Sequence, residues 1–411
     1  MFPLGKIILL LLQGLPQAVL SPFFWLVILI AWTQYKRTAE LELKMFGAMK
    51  VKPREKVIYA VLYGTLGGLA GSLVVILVGI SISGTGLAYV WPLALLLMLV
   101  HPRFICFSYA GGLVSLFSLL TGFPRIDVAG LMALVAALHL VESFLIFFAG
   151  YINASPVFIK DDRCGIAGGF SLQEFWPVPI MLLTVVISQA PVGDMIQMPD
   201  WWPLIKPPSG ILENPRAVFL MIPVVAALGY GDIALTRTPR ARCRASAVHL
   251  LAFSGILLAL SVLASRNTVF AYTAAVFGPA AHELLIITGK RTERRNPPLF
   301  APPPEGVRVL DVVKGSPAEK IGIGPGDVIL SVNGQPVNSP EDMRSIMSLY
   351  PTYVWMTVKS RFGETKNPEI NAYPGGINSI GAILVPKNGQ GIYVVTEEAG
   401  VFPLLRRFFR K

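Results

Sequence analysis

The sequence has little cysteine and little charge. Its 411 residues include three cysteines, and 14% of the residues are Asp, Glu, Lys or Arg. Cys106, Cys164 and Cys243 are far apart and form no Cys-x-x-Cys pair. This odd, scattered set argues against a disulfide framework and indicates reduced structural thiols. The low charge excludes an ordinary soluble globular protein, in which about a quarter of the residues are charged.

Motifs that define several enzyme classes are also absent. An intramembrane zinc protease needs two histidines one helical turn apart, with a glutamate after the first, in the pattern His-Glu-x-x-His. His282 and Glu283 begin this pattern, but Ile286 stands where the second histidine is needed. The chain has no Gly-x-Ser-x-Gly nucleophile motif and no phosphate-binding P-loop. We therefore predict no catalytic residue, no metal and no cofactor.

Long apolar runs dominate the sequence up to about residue 289. Hydrophobic residues make up 54% of the chain, and its mean hydropathy is +0.61. A membrane-crossing helix needs about 20 apolar residues, so the runs predict an α-helical polytopic membrane domain over 1–289 with about eight or nine helices. An interfacial or re-entrant piece is expected at 5–16. The predicted spans lie near 17–34, 57–80, 88–101, 104–121, 127–150, 175–190, 217–236, 247–265 and 268–289.

Two features of these spans predict how they pack. The span near 57–80 carries small residues four apart, a pattern typical of closely packed membrane helices. These residues are Gly64, Gly68, Gly67 and Gly71. The spans near 88–101 and 104–121 are separated by three residues only, so we expect them to form a hairpin.

The distribution of positive charge predicts the sidedness of the membrane domain. The formal net charge is +11, but the basic residues lie in short loops and do not form one face, so we predict no nucleic-acid partner. The loop 35–56 is the most basic and should be cytoplasmic. Alternation of the spans then places the basic segments 237–244 and 290–295 on the same side. The soluble part that follows should also face the cytoplasm.

The stretch Gly315 to Val337 reads GSPAEKIGIGPGDVILSVNGQPV and is rich in turn signals. Ser316 and Pro317 fit the start of a short helix, and residues 328–332 fit a buried strand. The residues expected to shape the turns are Gly315, Gly322, Gly326, Asp327, Asn333 and Gly334.

This succession of signals resembles a bacterial PDZ domain, over residues 306–385. The predicted fold class is therefore an α-helical polytopic membrane domain plus a small C-terminal α/β PDZ-like domain. A basic and Pro-rich linker at 290–305 joins the two parts. The chain ends in a basic–aromatic tail at 386–411, which could touch anionic membrane lipid or be a solvated end.

A PDZ fold implies binding of an extended peptide, which adds as a strand beside a helix. The expected helix runs from about 340 to 349, with Met343 and Met347 one turn apart. The carboxylate-binding loop of such domains usually precedes the core, whereas here the matching pattern follows it. That pattern comprises Ile380, Gly381 and Ala382. The alternative is that the two methionines are ordinary core residues and no terminal carboxylate is bound.

Ionisable residues within the apolar runs are the remaining candidates for chemistry, because such groups are costly in a membrane. His139 and Glu142 share one helix face, and His249 lies on another span. Asp232 follows a glycine-containing Gly-Tyr-Gly segment. One hypothesis is metal or proton chemistry at the histidines and an ion-transport site at Asp232. The alternative hypothesis is that these groups form structural pairs.

The order of the parts resembles the MinJ family of cell-division topological determinants of Gram-positive rods. The resemblance rests on segments 23–25, 34–37 and 46–47, and on the PDZ-like core. It implies a non-enzymatic scaffold at the cell membrane, at septa and poles. Such a scaffold links the polar protein DivIVA to the membrane ATPase MinD, so that MinC blocks division away from midcell. The competing interpretation is an intramembrane protease or a transporter regulated by its PDZ domain.

Overall fold

The structure is a computed structural model that describes residues 2–47, 49–187, 196–206, 214 and 216–387. Within these ranges the first part of the chain is mostly helical and the last part is a small β-rich domain, as the predicted fold class requires. The helices of the first part are α1 (Leu4–Leu20), α2 (Pro22–Phe46), α3 (Pro53–Val78), α4 (Leu87–Val100), α5 (Phe107–Thr121), α6 (Val128–Ala149), α7 (Pro239–Ala264) and α8 (Thr268–Arg295).

Among the described residues, four helices are long and apolar enough to cross a membrane, namely α3, α6, α7 and α8. A fifth crossing is formed if α1 and α2, which meet at an angle of 65°, count as one broken span. The break lies at Ser21, whose hydroxyl caps α2 by accepting the N–H of Phe23 at 3.3 Å. Pro16 lies inside α1. The chain therefore changes direction later than the predicted boundary between 5–16 and 17–34.

α4 and α5 form the predicted hairpin, joined by a short 3₁₀ turn at Pro102–Ile105. The two helices have 14 and 15 residues, which correspond to about 21 and 22 Å. A single crossing needs about 20 residues, so the predicted spans near 88–101 and 104–121 are helices that are too short to cross alone.

The helical spans predicted near 175–190 and 217–236 are wrong, because the chain forms strands over 175–187 and 217–234. β1 (Ser155–Asp161), β2 (Gly165–Ile187) and β3 (Ala217–Ala234) form an antiparallel sheet with β2 in the centre. β2 and β3 pair along 18 residues, from Phe170 opposite Ala234 to Ile187 opposite Ala217. A continuous apolar run does not distinguish a buried helix from a buried strand. Here Pro177 and Pro179 disfavour a helix interior.

The backbone N–H groups on the edge of β2 that faces away from β3 have few or no unmet hydrogen bonds, which allows the strand to lie among apolar helices. Backbone groups without partners are costly in such surroundings. Pro177 and Pro179 have no N–H to satisfy at this edge. Three further N–H groups donate to side-chain hydroxyls: Phe175 to Tyr35 (3.2 Å), Met181 to Ser72 (2.8 Å) and Val185 to Ser83 (2.7 Å). Side chains of α2, α3 and the segment after α3 thus accept these N–H groups of the edge.

The glycines of α3 allow β2 and α6 to approach closely. A Cβ atom on Gly64 or Gly68 would lie 2.3 or 2.0 Å from the carbonyl oxygen of Pro177 or Pro179. Gly67 and Gly71 face α6, where the nearest side chains are those of Leu145 and Val141. The small-residue face predicted from the sequence therefore contacts a strand on one side and a helix on the other.

The C-terminal domain contains β4 (Val307–Val312), α9 (Pro317–Lys320), β5 (Val328–Val332), β6 (Gln335–Pro336), α10 (Pro340–Met347), β7 (Tyr353–Lys359), β8 (Thr365–Lys366), β9 (Glu369–Asn371) and β10 (Ala382–Leu384). The main sheet has the order β10-β4-β5-β7-β8. Its core is formed by buried side chains of β4, β5, β7 and α10, among them Val309, Ile329, Met347 and Met356.

Candidate functional site

The turns of the C-terminal domain have the backbone geometry that their residues suggest. Gly315, Gly322, Gly326 and Gly334 all have positive φ angles, between 75° and 96°. Asp327 closes the turn before β5, because its carboxylate accepts the N–H of Gly324 at 3.0 Å and of Arg361 at 3.1 Å. Asn333, with φ 49°, begins the tight turn between β5 and β6.

We expect Gly326→Val to loosen the C-terminal domain by about 1–3 kcal/mol, since a β-branched residue is strained at the φ of 96° found there. The matched control is Gly324→Val, two residues earlier, where φ is not positive and no atom lies within 4 Å of an added Cβ. Hydrogen exchange of the β5 amides in the full-length chain measures the difference. Equal protection in the two variants would show that the turn does not require glycine.

The helix α10 begins with a complete capping box. The Ser339 hydroxyl accepts the N–H of Asp342 at 3.1 Å, and the Asp342 carboxylate accepts the N–H of Ser339 at 2.9 Å. The N–H of Asn338, 2.8 Å from the same carboxylate, is the main cause that holds the pKa of Asp342 below its ordinary value. Because the pKa of Asp342 is lowered, its ionised carboxylate stabilises the folded domain at neutral pH. This stabilisation is lost as the pH falls through the pKa that Asp342 has in the folded state.

The five residues predicted for peptide binding lie on one strand end and one helix. Ile380, Gly381 and Ala382 lead into β10, which is the outermost strand beside β4. The N–H groups of Ala318 and Val313 donate to the carbonyls of Ile380 and Gly381, at 2.9 and 2.8 Å. A segment that follows the core in sequence thus lies at the edge of the sheet, where an added strand could pair.

Met343 and Met347 are core residues of the C-terminal domain. They are 5% and 1% exposed, and they belong to the same hydrophobic cluster as Ile380. α10 and the start of β10 therefore share one core.

The C-terminal domain packs firmly on the first part of the chain. Lys50, in the short connection between α2 and α3, forms an ion pair with Asp311 of β4 at 2.6 Å. The N–H of Gly168 in β2 donates to the carbonyl of Phe300 at 3.0 Å. Leu310, on the opposite face of β4 from Val309, joins the core of the first part. The domain is thus held on the side where the basic loop lies.

The histidines named as candidates for chemistry in the membrane part lie in different surroundings. His249 is exposed on α7. His139 is buried, and its Nε2 lies 3.1 Å from the thiol of Cys106. That thiol also contacts His282, so Cys, His and His from distant parts of the sequence form one cluster. No sequence spacing signals this cluster, because each residue lies on a different helix or helix end.

Asp232 belongs to a buried ionic network that joins β3, α7 and α8. Its carboxylate accepts two hydrogen bonds from the Arg242 guanidinium, at 2.8 and 3.1 Å. Arg242 also approaches Glu293 at 3.6 Å. Glu293 in turn accepts the N–H groups of Leu235 and Thr236. The carboxylate of Asp232 is therefore engaged by an arginine, as expected for a structural pair.

Together, the apolar helices and the small C-terminal β-rich domain indicate a membrane-associated protein that carries a PDZ-type domain. The family model described as PDZ domain matches residues 308–359. The match lies within the C-terminal domain, which packs against the N-terminal part.

The chain is similar to curated cell-division proteins over much of its length. It is 23% identical over 251 residues to the cell division topological determinant MinJ of Bacillus subtilis (strain 168), covering 60% of this chain and 59% of that protein. It is 26% identical over 270 residues to the probable cell division topological determinant MinJ of Lacticaseibacillus paracasei, covering 63% and 66%. The match spans less than two thirds of these relatives. The chain is a MinJ-like protein with a C-terminal PDZ domain.

Similarity to proteases is confined to a short stretch. The chain is 40% identical over 75 residues to the probable periplasmic serine endoprotease DegP-like of Rhizobium meliloti (strain 1021). This stretch is 17% of this chain and 14% of that protein, about the length of the PDZ domain. The match is therefore partial and covers a small share of either protein.

Proposed function

We propose that the protein is a multi-pass scaffold of the cell membrane that positions the division-site inhibitor MinCD. It would do so by binding MinD-like proteins and a DivIVA-like polar protein, with no chemistry of its own. The observation that carries the proposal is the peptide-binding type of domain packed on an apolar helical part, in a chain similar to cell-division topological determinants.

Two structural features support a cytoplasmic PDZ domain. The ion pair between Lys50 and Asp311 keeps this domain beside the most basic loop, and basic loops are retained on the cytoplasmic side. Both the short hairpin α4–α5 and the strand pair β2–β3 return to the side from which they start, so alternation of sides is preserved. The domain is then positioned to meet cytoplasmic division proteins.

The partner peptide would pair with β10, the outermost strand of the sheet, near Ile380, Gly381 and Ala382. Among the described residues, no further strand pairs with the free side of β10. α10 lies over the same core through Met343 and Met347. The basic–aromatic tail, proposed to contact lipid, lies outside the described residues from 388 onward.

The alternative of a protease or a transporter has no specific support. The sequence lacks the second histidine of a zinc-protease motif and any Gly-x-Ser-x-Gly segment. Asp232, the candidate for an ion-transport site, is paired with Arg242. A second function is therefore not proposed.

The position of the protein in the cell tests the proposal. We expect a full-length fluorescent fusion to gather at septa and poles of a rod-shaped Gram-positive host. Deletion should misplace division, giving filaments or minicells, and a two-hybrid assay should pair the chain with MinD-like or DivIVA-like proteins. A chain ending before residue 297 serves as the comparison for the PDZ domain. Uniform membrane fluorescence together with normal septa in the deletion strain would contradict the proposal.

A further inference from the structure

Three metal-ligating side chains converge in the membrane part. The Sγ atom of Cys106 lies 3.1 Å from Nε2 of His139 and 3.8 Å from Nε2 of His282, and ligand atoms of all three lie within 4.8 Å of one another. A tetrahedral zinc ion, with Zn–S of about 2.3 Å and Zn–N of about 2.0–2.1 Å, separates its ligand atoms by about 3.3–3.6 Å. The two sulfur-to-nitrogen distances lie on either side of this range, and the remaining separation is at most 4.8 Å, so modest side-chain adjustments admit the ion.

The ring of His139 is oriented as in a metal ligand. Its Nδ1 lies 2.7 Å from the carbonyl oxygen of Val135, one turn earlier in α6. A carbonyl only accepts, so Nδ1 carries the proton and donates it. Nε2 then has a free lone pair directed towards Cys106. Metal-binding histidines are usually held by such a hydrogen bond from the other ring nitrogen.

The other ring nitrogen of His282 is held by a hydrogen-bond chain that ends in a carboxylate. Its Nδ1 lies 3.3 Å from the hydroxyl of Tyr109, and that hydroxyl lies 2.6 Å from the carboxylate of Glu283. The carboxylate also pairs with Arg103 at 3.3 Å. Because Tyr109 donates its proton to Glu283, its oxygen accepts from Nδ1, and Nε2 of His282 is left free to bind a metal.

The two histidines of the cluster lie where an unpaired polar side chain is costly. His139 is the twelfth of the 22 residues of α6, and His282 is the fifteenth of the 28 residues of α8, so both lie near the middle of apolar helices. Polar side chains at that depth are expensive unless they are paired. The ring of Phe253 packs against both imidazoles, at 5.3 and 5.7 Å, and shields them.

Cys106 reaches this depth because α4 and α5 are short. It caps α5, and the N–H of Ser108 points at its sulfur from 3.4 Å, which suits a negatively charged thiolate ligand. The turn of the hairpin therefore meets the centres of α6 and α8. A metal ion held there would tie the hairpin to two membrane-crossing helices.

We propose that Cys106, His139 and His282 bind one Zn²⁺ ion, with a fourth position left for water or another ligand. One thiolate and two imidazoles are a donor set that zinc prefers, whereas Mg²⁺ and Ca²⁺ require oxygen ligands. The ion fastens the α4–α5 hairpin between α6 and α8. This site is independent of the proposed role in cell division, and its test does not involve that role.

Metal analysis of the full-length protein tests the site. The protein is expressed with added zinc, purified in detergent without chelator, and analysed for zinc, copper and cobalt by mass spectrometry. We expect one zinc per chain in the wild type and less than a tenth of that in Cys106→Ser and His282→Gln. Replacement of zinc by Co²⁺ should produce a thiolate-to-cobalt charge-transfer band in the wild type, and Cys106→Ser should lack it.

Two controls match these variants. Cys243→Ser removes a buried cysteine outside the cluster, and His249→Gln removes an exposed histidine on α7. Both should keep full zinc occupancy. Glu283→Gln leaves all three ligands in place but weakens the hydrogen bond from Tyr109, which holds His282, so the zinc affinity should fall by about 10–100-fold. This variant keeps the proposal testable if Cys106→Ser elutes as an aggregate in size-exclusion chromatography.

Several outcomes would overturn the proposal. Wild-type protein without zinc and without a cobalt band would show that the three residues form only hydrogen bonds. Equal loss of zinc in the control variants would place the metal elsewhere. One equivalent of copper in place of zinc would refute the choice of ion.

Discussion

Gly68→Ala will destabilise the membrane part of the protein strongly, although alanine is the better helix former. An alanine Cβ at this position would lie 2.0 Å from the carbonyl oxygen of Pro179, and that oxygen belongs to the backbone of β2. α3 and β2 must then move apart. Forcing extra atoms into a packed interior costs about 1–3 kcal/mol and more where backbone must shift.

The matched control for Gly68 is Gly255, which lies within α7 with no atom within 4 Å of an added Cβ. Gly255→Ala should be neutral or stabilising by up to about 1 kcal/mol, since alanine favours helix. Thermal unfolding of the two full-length variants in the same detergent provides the comparison. Equal melting temperatures would mean that β2 does not lie against α3.

Arg242→Met will be the second strongly destabilising change. Arg242 is 7% exposed and sits between the carboxylates of Asp232 and Glu293. Removing the guanidinium leaves the buried Glu293 carboxylate and the partly buried Asp232 carboxylate without a countercharge. Breaking a buried ion pair by removing one partner costs about 3–5 kcal/mol. The variant should accumulate poorly in membranes and unfold at a lower temperature.

Two further variants separate this effect from a general loss of positive charge. Arg294→Met removes an exposed arginine in the last turn of α8, and we expect little change in the melting temperature. Arg242→Met combined with Asp232→Asn removes one of the two orphaned charges and should recover part of the lost stability. A double variant that is no more stable than Arg242→Met would show that the charges do not interact.

Features that depend on a few neighbouring residues could be predicted from the sequence. The turns of the PDZ domain follow from glycines that tolerate positive φ, such as Gly326, and from Asp327, which bonds backbone groups nearby. The apolar helices follow from their length and hydropathy, as in α6. Both the turns and the apolar helices depend on residues that are close together in the chain, so the local sequence is enough to predict them.

Assigning a long apolar run to helix or strand requires knowledge of its surroundings. The runs near 175–190 and 217–236 satisfy the hydropathy of a membrane span, yet they form β2 and β3. The hydrogen-bond partners of the run decide between helix and strand. β2 pairs with β3 on one edge and donates to Tyr35, Ser72 and Ser83 on the other. These hydroxyls are far from β2 in sequence, so no local pattern reveals them.

By itself, then, the sequence determined the apolar helices, the membrane association and the PDZ domain with its turns, because those depend on composition and short-range geometry. Only the tertiary structure decided three other features. It brought Cys106, His139 and His282 together from three helices, paired Asp232 with Arg242, and placed β10 beside β4. Each of these is a contact between distant segments, and its energy depends on distances that exist only after the chain has folded.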